Sequence, residues 1–145
     1  MISVRPMLQE DVDAAARIEQ QVFSQPWSRQ GFLDALKIQN TVFLIAEEDG
    51  RLLGYAGMYC TLEEGEVTNV AVAPQERRRG VGGMLMEAIR EEAKRLGLER
   101  IILEVRVSNE SAIRLYERQG FTKCGTRKGF YDFPKEDAYI LICGQ

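Results

Sequence analysis

One stretch near the middle of the chain constrains its fold more than any other. Residues 67–73 form a mostly apolar run that ends at Pro74, and from Met84 onward apolar residues recur with helical spacing. Residues 101–107 form the next apolar run and predict a second strand. A strand, a helix and a strand in succession require a parallel pair with a right-handed crossover. The stretch therefore predicts a sheet that contains at least one parallel pair.

The turn between this strand and this helix has the composition of an anion-binding loop. It consists of Arg77, Arg78, Arg79, Gly80, Val81, Gly82 and Gly83. The first turn of a helix leaves backbone N–H groups unpaired at its positive end, and glycines let an anion approach the backbone closely. The arginines add positive charge, so the turn suits a diphosphate. The alternative is a solvated basic turn whose glycines only begin the helix.

Two familiar phosphate-binding motifs do not fit this turn. A Walker loop ends in Gly-Lys followed by Ser or Thr, but here Gly82 and Gly83 are followed by Met84. A dinucleotide-binding fingerprint needs a third glycine at the position of Leu85. What remains is an Arg-x-x-Gly-x-Gly spacing that begins at Arg77, after a strand and before a helix.

Composition narrows the class of protein. The 145 residues are 45% hydrophobic and 28% charged, so we expect one soluble domain over residues 1–145. The net charge of −3 disfavours a general nucleic-acid-binding protein. Cys60, Cys124 and Cys143 lack metal-ligand spacing, and no signal peptide or membrane span is evident, so we predict a cytoplasmic protein without structural zinc. There is no histidine, so acid–base chemistry must come from carboxylate, tyrosine, cysteine or lysine.

The hydrophobic pattern predicts an α/β fold with the order β-α-α-β-β-β-α-β-α-β-β. We expect strands at 2–5, 42–46, 52–59, 66–73, 101–107, 121–126 and 138–143, and helices at 9–23, from Ser28 to 38, at 82–96, and from Ser108 or Asn109 to 119. Asp49 and Gly50 predict a tight hairpin, and residues 63–65 another turn. The early strands then form an antiparallel meander within a mixed, twisted, partly parallel sheet that has helices on both faces. The apolar helix faces include Phe23, Ile38 and Leu96.

Over nearly its whole length the chain resembles the GCN5-related N-acetyltransferases (the GNAT family), and among them the RimI type. Its arginine–glycine loop is similar to that family's coenzyme A pyrophosphate loop. The other matching marks are Pro26-Trp27-Ser28, Asn69-Val70-Ala71-Val72, Leu103-Glu104-Val105-Arg106, Ser108-Asn109, Leu115-Tyr116-Glu117, Gly120-Phe121 and Glu136-Asp137-Ala138. The resemblance implies the GNAT fold and metal-free transfer of an acetyl group from acetyl-CoA to a protein N-terminal amine. For the RimI type, this amine belongs to the N-terminal alanine of a small-subunit ribosomal protein.

Glu104 is the candidate general base. Strand alternation puts Glu104 on one face with Ile102 and Arg106. One interpretation is a structural ion pair with Arg106 or Arg114. The other is a carboxylate in an apolar cleft, whose raised pKa suits it to accept a proton near neutrality. The resemblance implies the second interpretation, because the family's base corresponds to this glutamate.

Tyr116 is the candidate general acid. Taken alone, a tyrosine that shares a helix face with Ala112 and Leu115 suits the core. The resemblance instead implies that Tyr116 protonates the departing sulfur of coenzyme A, whose thiol has an ordinary pKa of about 8.5. None of the cysteines has an activating context, so we expect direct transfer without an enzyme nucleophile.

The remaining cofactor-binding candidates lie on the strand before the loop and at a later helix start. Val70, Ala71 and Val72 would hold the pantetheine arm and the thioester carbonyl through backbone groups that are freed where two strands part, while the valine side chains belong to the core. Asn109 has the position of a helix cap, and the resemblance implies that it also contacts acetyl-CoA.

The basicity of an amine helps to decide which class of acceptor the chain uses. A protein α-amine with a pKa of about 7.7–8.0 is roughly 10–20% neutral at pH 7, whereas lysine at about 10.4 is below about 0.1% neutral. A single carboxylate base therefore suits an α-amine better. Glu63, Glu64 and Glu66 are candidates to attract a basic peptide, with a solvated turn as the alternative interpretation, and Tyr131 resembles the tyrosine of the family's substrate loop at 128–133.

Two alternatives stay open at this stage. The chain could acetylate a small-molecule amine, a polyamine or a lysine, with Glu66 as the base. It could also be a non-catalytic acyl-CoA sensor, although the presence of both Glu104 and Tyr116 argues against this.

Overall fold

The computed structural model describes residues 1–144 and contains the predicted order of elements. Short 3-10 turns at Gln9–Asp11 and Pro74–Glu76 precede α1 and follow β4. The elements are β1 (Ser3–Pro6), α1 (Val12–Val22), α2 (Arg29–Lys37), β2 (Thr41–Glu48), β3 (Arg51–Cys60), β4 (Glu64–Val72), α3 (Val81–Arg95), β5 (Arg100–Arg106), α4 (Glu110–Arg118), β6 (Thr122–Asp132) and β7 (Lys135–Gly144). Among these residues, no helix is long and apolar enough to cross a membrane.

All strands belong to one seven-stranded sheet with the order β1-β2-β3-β4-β5-β7-β6. Strands β1 to β4 are paired antiparallel, as the predicted meander requires. Strands β4 and β5 are parallel, and α3 is the crossover between them. Strand β7 inserts antiparallel between β5 and β6. The mixed, partly parallel sheet is therefore confirmed.

One tight turn and one helix cap that the sequence marks clearly are formed as predicted. Asp49 and Gly50 join β2 to β3 with φ values of +52° and +77°, the pair of positive angles that a tight primed turn demands. Ser28 caps α2, because its hydroxyl accepts a hydrogen bond from the Gly31 N–H at 3.0 Å.

Each face of the sheet buries its own apolar core. Helices α3 and α4 cover one core, to which Leu85, Ile89 and Tyr116 contribute. Helices α1 and α2 cover the other, which includes Val12, Phe32 and the sheet residues Phe43, Tyr55 and Ala71. Helices on both faces are therefore confirmed.

Some predicted details are wrong, and each error lies at the end of an element. Phe23, Ile38 and Leu96 are 37%, 50% and 44% exposed, because each is the residue at which its helix ends and the chain leaves the packed face. Strand β4 begins at Glu64, inside the predicted turn. Strand β6 extends to Asp132, so the expected substrate loop at 128–133 lies mostly in a strand. Its residues are largely exposed, which leaves little apolar alternation to reveal a strand.

Candidate active site

The sheet opens between its two parallel strands, as expected for the predicted site. Pairing runs from Glu64 with Arg100 to Val67 with Leu103 and stops there. Strand β4 continues to Val72 with only β3 as a neighbour. The Ala73 N–H donates to the Leu53 carbonyl on β3, so by alternation Ala71 also faces β3, while the N–H and C=O groups of Val70 and Val72 face the open side and are unpaired. The Val70 and Val72 side chains pack against the α3–α4 core, as predicted.

The glycine loop leads from this open edge into α3. Arg78 and Gly80 have φ values of +68° and +79°, which turn the chain back towards the helix. Gly80 occupies the N-cap without any side-chain cap, and its carbonyl accepts from the Met84 N–H at 3.0 Å. The N–H groups of Val81, Gly82 and Gly83 therefore have no acceptor in the helix and are available to an anion.

The three arginines of the loop differ in their partners. Arg79 donates to Glu76 at 2.8 Å and to Glu48 at 2.7 Å, and these hydrogen bonds raise the pKa of Arg79. Glu76 is 5% exposed and also binds Arg51 at 2.7 Å. Arg77 and Arg78 are exposed and have no ion-pair partner within residues 1–144. Arg79 thus anchors the loop, while the other two are available to a ligand.

Gly82 has a packing role that the sequence did not indicate. A Cβ at this position would lie 3.0 Å from a methyl group of Leu115 on α4, whereas a Cβ at Gly83 would meet nothing nearer than 3.8 Å. Gly82 therefore lets α3 approach α4 closely, in addition to exposing its own N–H.

Glu104 lies on β5 directly after the last residue paired with β4. The structural ion pair considered above is absent, because Arg106 binds Glu136 at 3.1 Å and Arg114 approaches Glu110 at 3.9 Å. Burial raises the pKa of Glu104, the nearby charge of Glu66 raises it further, and Arg127 opposes both. A half-buried carboxylate without a partner and with a raised pKa can accept a proton near neutrality.

Tyr116 lies on the buried face of α4 and is only 8% exposed. Its ring is tilted against Phe121, with 5.9 Å between the ring centroids. Burial raises the pKa of Tyr116 above its ordinary value, and the nearby Tyr131 adds a smaller increase. The phenol is therefore protonated throughout the neutral range.

Tyr131 lies within electrostatic range of both candidate catalytic groups. Burial raises its pKa to about 12, Arg106 opposes this rise, and Glu104 and Glu136 add to it. The Arg106 guanidinium lies 4.2 Å from the centroid of the Tyr131 ring, a cation–π contact. Tyr131 therefore belongs to the same site, although it lies on strand β6.

Arg106 is a site residue that sequence reasoning considered only as a partner for Glu104. It donates to the carbonyl oxygens of Phe133 and Pro134 at 3.1 and 2.8 Å, and so holds the β6–β7 turn. The Ser24 hydroxyl donates to the same Phe133 carbonyl, which joins the α1–α2 connection to this turn. Strand alternation already put Arg106 on the face of Glu104, and this was the available signal.

Asn109 caps α4 as predicted. Its side chain accepts from the Ala112 N–H at 3.3 Å, and the residue is exposed. Its contact with acetyl-CoA remains a prediction.

No group of three or more His, Cys, Asp or Glu side chains suited to a metal lies within residues 1–144. A surface groove of about 600 Å³ follows β1 and the end of α3, and none of the predicted site residues lines it. The candidate site is instead the open slot where β4 and β5 part.

Comparisons with known proteins agree with this geometry. Residues 12–121 match the acetyltransferase (GNAT) family. The ribosomal protein bS18-alanine N-acetyltransferase of Salmonella typhimurium is 36% identical over 133 residues, which cover 90% of this chain and 89% of that protein. The crystal structure of the ribosomal-protein-S18-alanine N-acetyltransferase from Escherichia coli superposes with a TM-score of 0.91 at 31% identity, covering 99% of this chain and 94% of that one.

A more distant structure shares the fold alone. A GNAT family acetyltransferase from Elizabethkingia anophelis, solved with acetyl-CoA bound, has a TM-score of 0.80 at 18% identity and covers 99% of this chain and 98% of its own. The resemblance drawn from the sequence marks is confirmed by the family match and by the RimI-type relatives. The chain is an acyltransferase that belongs to the GNAT acetyltransferase family.

Proposed function

We propose that residues 1–145 form one N-acetyltransferase domain that moves an acetyl group from acetyl-CoA to the N-terminal amine of a cytoplasmic protein. The N-terminal alanine of a small-subunit ribosomal protein is the proposed acceptor. The relatives named for this reaction support the proposal. The single observation that carries it is an unpaired carboxylate, Glu104, with a raised pKa beside the opening of the sheet.

Acetyl-CoA would occupy the slot and the glycine loop. The free backbone groups of Val70 and Val72, on either side of Ala71, would align the pantetheine arm and the thioester, and the amides of residues 81–83 would bind the diphosphate. Arg77 and Arg78 add charge at the same position, and Asn109 at the start of α4 would contact the cofactor. The acetyl-CoA complex of the same fold supports this choice of cosubstrate.

Glu104 and Tyr116 would move the two protons of the reaction. Glu104 accepts a proton from the acceptor amine, directly or through water, as its nitrogen bonds to the acetyl carbon. The carbon–sulfur bond breaks, and Tyr116 gives its phenolic proton to the leaving sulfur. The raised pKa of Glu104 supports its role as base near neutrality, and Tyr116 is protonated there and so has a proton to give.

The negative charges beside Glu104 and the basicity of the amine together select the acceptor. Glu66 and Glu104 lie close enough for their charges to interact, so the slot attracts a cationic N-terminus. An α-amine is neutral often enough at pH 7 to react with one carboxylate as its base, whereas a lysine amine is almost always charged. Tyr131, held by Arg106, is the proposed contact for the incoming peptide.

The test is thiol release from acetyl-CoA with two short basic peptides. One has a free N-terminal alanine and no lysine, and the other has a blocked N-terminus and an internal lysine. We expect turnover on the first peptide alone. Turnover on the second alone, or on neither while acetyl-CoA still binds, would contradict N-terminal acetylation and favour a lysine, a small amine or a sensor.

Two variants test the assignment of the base. Glu104→Gln should lower kcat/KM by about 10²- to 10⁴-fold with little change in acetyl-CoA binding. Glu66→Gln removes the neighbouring carboxylate and is the matched control. A larger loss in the Glu66 variant than in the Glu104 variant would move the base to β4.

A further inference from the structure

Asn69 is a buried amide with only one of its ends in use. The residue is 4% exposed, and its Oδ1 accepts from the Thr68 hydroxyl at 2.7 Å. A hydroxyl can donate or accept, so this pair occupies one end of the amide in either orientation. The other end has no hydrogen-bond partner within residues 1–144. The free end can therefore form a further hydrogen bond with a ligand.

The strand register places Asn69 on the same face as Glu104. Asn69 is paired with Gly57, and a Cβ on Gly57 would point at the Phe43 ring in the core under α1 and α2. Glu104 also points to this face, because Leu103 and Val105 on either side of it belong to the opposite core.

A bulge in β4 produces this orientation. The register shifts at Thr68, so Met58 opposes Val67 while Gly57 opposes Asn69. Without the extra residue, alternation would turn Asn69 towards α3 and α4 together with Val67. The bulge lies where β4 loses its pairing with β5. The bulge thereby directs the Asn69 amide towards the opening between β4 and β5.

The free end of Asn69 is also accessible. The amide atom at this end keeps some contact with solvent, although the residue as a whole is buried. Gly57 on β3 opposes Asn69 and has no side chain, so the next side chain across the sheet from Asn69 is that of Phe43 on β2. A polar atom beside an aromatic ring, at the rim of the slot and on the side of the candidate base, suits recognition of a small polar group.

We infer that the Asn69 amide donates a hydrogen bond to the first backbone carbonyl of the acceptor peptide. This inference rests on the proposed N-terminal acetyltransferase function. A peptide α-amine carries a carbonyl on its own α-carbon, whereas a lysine ε-amine and a simple alkyl amine carry none at that distance. With the amine at Glu104, the Asn69 contact distinguishes a peptide N-terminus from other amines. Asn69 is then a specificity-determining residue of the substrate site.

The experiment compares two acceptors that differ at their first peptide bond, and it reads the preference of each variant relative to wild type, because loss of the carbonyl also removes the amide N–H and raises the pKa of the amine. One is the lysine-free peptide with N-terminal alanine, and the other replaces its first peptide bond with a trans alkene. Asn69→Leu removes the amide at similar volume, and Asn69→Ala repeats the test if the leucine variant has a lower melting temperature. Thr68→Val is the matched control, because it removes the hydroxyl that binds Asn69 and leaves the proposed contact intact.

We expect either Asn69 variant to reduce the wild-type preference for the peptide over the alkene by about 2- to 12-fold in kcat/KM, the value of one neutral hydrogen bond. The rate on the alkene and the KM for acetyl-CoA should not change. Thr68→Val should keep the wild-type preference. Equal losses on both acceptors, or loss of the preference in Thr68→Val, would overturn the inference alone. Absence of wild-type turnover on the peptide would overturn the proposed function, and the inference with it.

Discussion

Glu19 links helix α1 to the sheet and to the α1–α2 connection, and its replacement tests the buried polar contacts of the fold. It is 2% exposed and accepts hydrogen bonds from the Trp27 N–H at 3.1 Å and from the Tyr55 hydroxyl. Tyr55 is fully buried, and this burial, followed by the charge of Glu19, raises the pKa of Tyr55. Both donors depend on one carboxylate.

Glu19→Leu keeps a similar volume and leaves both donors without an acceptor. Each unsatisfied buried donor costs about 1–3 kcal/mol. Removal of a buried carboxylate recovers part of its desolvation cost, so we expect a net loss of about 2–4 kcal/mol in the free energy of unfolding. At about 2–4 °C per kcal/mol for a chain of this size, the melting temperature should fall by roughly 4–16 °C.

A double-mutant cycle identifies the cause of this loss. Urea unfolding is measured for wild type, Glu19→Leu, Tyr55→Phe and the double variant. Tyr55→Phe removes one of the stranded donors, so the double variant should lose about 1–3 kcal/mol less than the sum of the single losses. If Glu19→Leu unfolds at the same urea concentration as wild type, or if the single losses simply add, the reasoning is refuted.

Three variants test further features of the site. The pKa of Glu104 is raised on folding, so its contribution to stability is complete below the ordinary glutamate pKa and is lost as pH rises through the folded-state pKa. Glu104→Gln should therefore melt at a higher temperature than wild type at pH 7, and equal melting temperatures there would contradict the raised pKa. Gly54→Ala places a Cβ 2.6 Å from the Ala71 carbonyl oxygen and should cost about 1–3 kcal/mol and raise the KM for acetyl-CoA, whereas Gly144→Ala meets nothing within 4 Å and should change neither. Arg79→Gln should raise the KM for acetyl-CoA several-fold with little change in kcat, because it frees the loop from Glu48 and Glu76; an unchanged KM would mean that the loop needs no anchor.

Sequence reasoning recovered the parts of the fold that depend on local pattern. The parallel pair, the Asp49–Gly50 turn and the caps at Ser28 and Asn109 each follow from residues close together in the chain. The errors at Phe23 and Leu96 arise because periodicity continues through a helix end that only the cap geometry reveals.

The site was less predictable, because its contacts join distant residues. The β6–β7 turn depends on Arg106, and the anchoring of Arg79 depends on Glu48, which is 31 residues away in the chain. The bulge at Thr68 is hidden in the hydrophobic pattern, because Val70, Ala71 and Val72 after it are all apolar and show no two-residue alternation. Such pairings become visible only when the strands are in register.

Strand β6 has a consequence for the solution behaviour of the protein. It forms one border of the sheet, with β7 as its only neighbour among the described strands, so its outer backbone groups could template pairing with another molecule. Exposed Lys123, Arg127 and Lys128 lie along this border, and the pairing with β7 is irregular at two places. Positive charge and a broken register both discourage edge-to-edge association. The strand that carries Tyr131 can therefore remain uncovered without becoming a site of aggregation.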